Sequence, residues 1–195
     1  MQDPKSLLFR YRVYYSKDGA ARFIGHLDLQ SLFSKALKRA GLNVAYSQGF
    51  NPHQLLSIAM PLSLGMTGLN EIFEVYLSKE IDTDSLIKNL DTQMPSGIKI
   101  LKAEEVSPLG KSAAGLLFGA VYAIKFPCEI YYTPPDELDG IFDGEKIAAD
   151  SIKVTLAAGS KKNLKPQKFA EVLAQNLGLN IDLSTIKYER MELLL

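Results

Sequence analysis

A single cysteine, Cys128, two histidines and no tryptophan are spread over 195 residues. One thiol cannot close an intramolecular disulfide, nor can it supply the several thiolates that hold an iron–sulfur cluster or a cysteine-based zinc ion. No cofactor is expected to be held by this chain, and its setting reads as reducing and cytoplasmic. Met1–Lys5 lacks the basic start and apolar stretch of a secretory signal, and Arg10 and Arg12 interrupt the apolar character of the next few residues. The longest apolar run, Ala113 to Ile124, holds two glycines in 12 residues. A membrane helix needs roughly 20, so the run reads as a strand entering a core and no membrane is expected as a partner. An excess of either charge is absent too, since 22 basic residues face 22 acidic ones. That balance excludes a dedicated, strongly basic polyanion binder. With 47% hydrophobic and 23% charged residues, the chain is an ordinary globular one.

The charge is balanced overall but unevenly placed. Residues 1–64 hold eight Lys and Arg against three Asp, and residues 65–105 hold four against eight acidic residues. Two readings stay open. The basic front is a footprint for phosphate or nucleic acid, or the acidic segment folds back and neutralises it.

Periodicity suggests a duplicated unit. Phe9, Tyr11, Val13 and Tyr15 alternate with Arg10, Arg12 and Tyr14, the pattern of a strand over 7–16. Leu29, Leu32, Phe33, Ala36, Leu37 and Ala40 recur at three and four, and Gly41 supplies a helix stop. The Gly-, Pro-, Asn- and Ser-rich stretch 43–69 reads as turns between short strands. A strand over 71–78, a capped helix over 82–90 and a strand over 97–103 complete a βαββαβ order. After a linker at 106–115, a strand is expected over 116–126, a short helix at best over 134–142 and a strand over 152–158. A helix opened by Pro166 and closed by Gly178 comes next, and a strand over 185–194 ends the chain. The fold class is therefore α+β, with two ferredoxin-like (βαββαβ) halves, each an antiparallel sheet backed by helices. The first covers 1–105 and the second, shortened, 116–195.

Common catalytic signatures are missing. Gly110-Lys111-Ser112 copies the tail of a phosphate-binding loop, but Glu105 stands where that loop needs glycine. His26 precedes the first helix, where it either caps the helix or presents an imidazole beside Lys17 and Arg22 as a general acid or base. His53 comes after Asn51-Pro52 in a polar turn and is either a ligand contact or solvated. Lys17, Arg22 and Phe23, with Arg10 and Arg12 on the adjoining strand, pair cations with aromatic rings, a combination that suits RNA and equally describes a solvated sheet face.

Ser16, Lys17, Gly19, Arg22, Phe23, His26 and Asp28, the block Tyr46 through Pro52, and Leu56-Ser57-Ile58-Ala59-Met60-Pro61-Leu62 with Gly65 and Glu71 resemble a bacterial family of radical-SAM-linked proteins of unknown function. Ile58, Ile72 and Glu74 depart from that family's usual aromatic, Tyr and Asp. The resemblance implies a radical-SAM protein as partner, to which members are fused or beside which they are encoded, near genes for ribonuclease and ribosomal proteins. The order of elements is also similar to that of tRNA pseudouridine synthases, although the stretch Tyr46–His53, where their essential aspartate would fall, has no carboxylate. CRISPR repeat-processing endoribonucleases share the duplicated plan and sometimes use a histidine.

These readings converge on a radical-SAM-associated accessory protein that binds RNA, with tRNA or rRNA as the implied ligand, or presents a substrate to the partner enzyme. Lys17, Arg22, His26, Gln48, Asn51 and His53 are expected around one cleft, with Arg10 and Arg12 beside it. The alternatives are an RNA-modifying or RNA-cleaving enzyme using His26, and a pure protein-interaction module.

Overall fold

The computed structural model describes residues 4–195, so the expectation attached to Met1, Gln2 and Asp3 lies outside the described residues. Its elements run β1 (Phe9–Lys17), α1 (His26–Arg39), β2 (Leu56–Ile58), β3 (Thr67–Leu77), α2 (Thr83–Asp91) and β4 (Ile98–Val106). They continue as α3 (Ala113–Leu116), β5 (Gly119–Lys125), β6 (Ile141–Ala148), β7 (Ser151–Ala157), α4 (Pro166–Asn176) and β8 (Lys187–Leu194), a mixed α+β chain with four helices and one mostly antiparallel sheet of eight strands.

Local sequence accounts for these elements. Tyr11, Val13 and Tyr15 of β1 point inward and meet Leu29, Phe33, Ala36 and Leu37 of α1, and Phe33 stacks on Phe73 of β3 with centroids 4.5 Å apart. Burial of the Val, Leu and Phe side chains among them stabilises the fold by roughly 1.5–3 kcal/mol each. Gly41, at φ +72°, ends α1. Its N–H bonds to the Lys38 carbonyl while Leu42 N–H reaches Leu37, closing the last turn with the left-handed residue that glycine adopts most easily. The Asp82 side chain accepts the Ser85 N–H at 2.8 Å and caps α2, and Pro166 opens α4.

The sheet order is β4-β1-β3-β8-β5-β7-β6, with β2 on β3. One spatial arrangement therefore occurs twice. The fourth, first, third and second strands of each set lie side by side as β4-β1-β3-β2 and again as β8-β5-β7-β6. The sets join where β3 and β8 run parallel through only two residue pairs, Thr67 with Glu189 and Gly68 with Arg190. Two apolar cores respect the same division. One lies between β1, β3, β4, α1 and α2; the other gathers β5, β7, β8 and α4 together with Leu62, Met66 and Ile72.

Two expectations need correction. The helix expected over 134–142 is a run of turns leading into β6 at Ile141, and Gly140, at φ +112°, breaks any helical run before that strand begins. β6 is an edge strand with mostly exposed residues, so its sequence lacks the alternation that marks a half-buried strand. The apolar run from Ala113 does not enter the core as a strand at once. Ser112 accepts the Gly115 N–H at 3.1 Å and caps the short α3, and β5 begins only at Gly119. Among the described residues, no helix is long and apolar enough to cross a membrane.

Candidate functional site

The loop after β1 is held from within. Lys17 is buried, and its Nζ donates to the Ile24 carbonyl at 2.8 Å and the Arg22 carbonyl at 3.4 Å. Burial draws its pKa below the usual lysine range, an effect that Glu71 opposes and Arg190 reinforces. Lys17 thus shapes the loop while Arg22 and Phe23 face outward. The Arg22 guanidinium lies 4.8 Å from the Phe23 ring centroid, and Phe23 is 59% exposed. The loop's neighbour is the segment Leu64–Thr67, since Gly65 N–H bonds to the Arg22 carbonyl at 2.9 Å.

Arg22 and Phe23 stand at the rim of a cleft of about 1300 Å³ that spans both strand sets. The rest of its lining includes the end of β5, the first turns of α4 and residues 183–189. Five cations, Arg22, Lys125, Lys165, Lys168 and Lys187, line it against Glu171 and Glu189. Lys125 pairs with Asp150 at 3.2 Å and Lys168 with Glu171 at 3.1 Å, whereas Arg22, Lys165 and Lys187 have no ion-pair partner among the described residues. In the same lining, burial pushes the Tyr188 hydroxyl up to about 12, leaving it a protonated donor at neutral pH. A second recess of about 680 Å³ adjoins the cleft and shares Met66, Lys165 and Gln167 with it.

The remaining expected residues lie elsewhere. His26 is the exposed first residue of α1 and borders neither recess. The turn at 46–53 is the tip of a hairpin whose base is the Tyr46–Gln54 bridge. There the Ser47 Oγ accepts the His53 N–H at 3.1 Å and lies 2.9 Å from its Nδ1. Gln48, Asn51 and His53 are exposed at this tip and line neither recess. The cleft therefore forms without them, from the front loop and the second strand set.

Arg10 and Arg12 do not form a solvated face. Arg10 is 2% exposed, pairs with Glu74 and donates to the Gly110 carbonyl at 2.8 Å. Arg12 reaches Glu74 at 3.1 Å and Glu104 at 3.4 Å. Glu74 also accepts the Ala113 N–H at 3.1 Å, which pins the 107–113 crossing over this side of β1 and β3. Fold-back of the acidic segment is the reading that the geometry bears out here, because both carboxylates come from residues 65–105.

Sequence reasoning missed Arg190, the most consequential polar residue. Its Nε donates to Glu71 at 2.8 Å, its second nitrogen pairs with the other Glu71 oxygen, and the same group donates to the Met60 carbonyl at 2.8 Å. Burial disfavours the charge, but Glu71 and Tyr122 outweigh it and hold the guanidinium pKa above its ordinary value. The unpaired Lys165 and Lys187 were missed as well, since single lysines on a helix start and a strand carry no local signature.

A mixed α+β protein with a cationic cleft spanning two like-ordered strand sets is thereby defined. Residues 10–162 match the sequence profile of a family described as an uncharacterized protein conserved in bacteria (DUF2344), and the chain belongs to that family. No curated protein matches the sequence.

Proposed function

We propose that the protein is an RNA-binding accessory factor that holds a tRNA or rRNA segment in the cleft and presents it to a radical-SAM enzyme. The observation that carries this reading is the Arg22–Phe23 pair lining one open groove together with Lys165 and Lys187. Cations without carboxylate partners attract phosphates, and an exposed ring offers a base a stacking surface; single-stranded RNA needs both. The repeated strand order supports reading the chain as two ferredoxin-like halves, 1–105 and 116–195, joined by 106–115, a plan similar to that of tRNA pseudouridine synthases. The groove then lies where the halves meet. The radical-SAM partner rests on the motif resemblance alone. One cysteine leaves the cluster chemistry to that partner.

The test is fluorescence anisotropy with a labelled single-stranded RNA dodecamer at low and moderate salt. The wild type binds, and the triple substitution Arg22→Glu/Lys165→Glu/Lys187→Glu weakens binding by at least tenfold. Absence of binding at low salt, or a triple variant that binds as the wild type does, overturns the proposal.

A further inference from the structure

We infer that the smaller recess receives the base of one unpaired nucleotide, whose phosphate lies at the mouth beside Lys165. For RNA as the source of that nucleotide, this rests on the proposed function above. The recess and the cleft share Met66, Lys165 and Gln167, so a strand lying in the cleft passes its opening, and a nucleotide turned out of the strand enters without leaving the cationic track. Its volume, about 680 Å³, accommodates a nucleoside with room for water.

The lining matches the two chemical faces of a base. Met60, Met66, Leu117 and Pro166 supply apolar, polarisable walls for a ring face. Ser160 and Asn163 supply donors and acceptors for its hydrogen-bonding edge. Arg190 also borders the recess, but its guanidinium is engaged by Glu71 and by the Met60 carbonyl. It therefore fixes the Met60 wall and leaves Lys165 as the cation for the phosphate. Extruding an unpaired nucleotide costs least, which directs the site towards single strands and loops.

Carbon-13-labelled methionine methyl signals test this directly, because Met60 lines the recess alone, Met66 lines both recess and cleft, and Met94 and Met191 line neither. Titration with 5′-AMP and, separately, with the RNA dodecamer shifts the Met60 and Met66 signals and leaves Met94 and Met191 in place. Ala114→Trp, at an exposed position on the recess wall, fills the space from outside and removes the Met60 response to either ligand while leaving dodecamer affinity within threefold. Shifts with 5′-AMP but no binding of RNA uphold the recess with a free nucleotide as its occupant, and overturn the proposed function. Dodecamer binding with Met60 unmoved by either ligand overturns the recess and leaves the cleft standing. A Met60 response that persists in Ala114→Trp also overturns it.

Discussion

Arg190 of β8 and Glu71 of β3 form a two-pronged ion pair, buried and separated by 119 residues of chain, at the point where the two strand sets meet. The backbone contributes only two residue pairs at that seam, and beside them the two charges satisfy one another in the interior, where either alone would be costly. Gly68 makes room for the pair, since a Cβ there would come within 2.6 Å of the Glu71 side chain.

Removing one member of this pair strands the other charge in the interior. Glu71→Gln and Arg190→Met are each expected to destabilise the fold by about 3–5 kcal/mol. The double variant Glu71→Leu/Arg190→Met recovers most of that loss, because no bare charge remains. Urea unfolding of the three variants checks this. Single variants within about 1 kcal/mol of the wild type would show that the remaining charge is not stranded in the interior.

Arg10 and Glu74 anchor the crossing segment in a comparable way. The Arg10 guanidinium takes the Gly110 carbonyl, with Ser107 at 3.4 Å and Lys111 at 3.3 Å, and Glu74 takes the Ala113 N–H. Glu74→Gln weakens both ends of this clamp, and trypsin is expected to cut after Lys111 at least fivefold faster than in the wild type. Arg39→Gln, on exposed contacts to Gln93, serves as the control and leaves the rate unchanged. Equal rates in both variants would mean that the crossing is held by packing alone.

The parts of the fold legible in the sequence are those fixed by local patterning. The β1 alternation, the three-and-four spacing of α1, the glycine stops at Gly41 and Gly178 and the proline start of α4 are all read within a few residues of themselves. β6 escaped because an edge strand with little burial has no pattern to show. The site was legible only in part, for the same reason. Arg22 and Phe23 sit together in the chain and were read together, whereas Lys165 and Lys187 join them only through the sheet order. Arg10 and Arg12 looked exposed because a strand's second face reads as solvent until the residues that cover it, here Glu74, Glu104 and the 107–113 crossing, are placed.

Glu104 provides a pH signature. Burial raises its pKa, but the Tyr14 hydroxyl at 2.8 Å, Lys102 and Arg12 together bring it below the ordinary glutamate value. A carboxylate depressed in the folded state stabilises the fold above its unfolded pKa, about 4.3, and that contribution fades as pH falls through the lower folded value. Glu104→Gln is therefore less stable than the wild type at neutral pH, and the gap narrows as pH falls below about 4. Melting temperatures at a series of pH values measure it. A gap that stays constant down to pH 3 would assign the loss to packing and not to charge.

His26, Gln48, Asn51 and His53 lie outside both recesses, so their roles separate from the cleft. His26→Ala and the pair Asn51→Ala/His53→Ala are expected to bind the RNA dodecamer within twofold of the wild type. A tenfold loss in either would place RNA on α1's N-terminus or the hairpin tip and move the binding surface away from the groove.

Within the groove, ring and charge act by different physics and leave different traces. Phe23 offers a stacking face, worth roughly 1–3 kcal/mol per base, and stacking releases no counterions. Phe23→Ala is expected to lower RNA affinity about tenfold while leaving the dependence of log affinity on log salt unchanged. Lys165→Gln removes a phosphate contact, so its loss is largest at low salt and its slope falls by roughly 0.7, the share of one contact on a single strand. Anisotropy titrations at four salt concentrations distinguish the two. If Phe23→Ala flattens the slope as Lys165→Gln does, the ring acts only by holding Arg22 over it, and the stacking role passes to the cation.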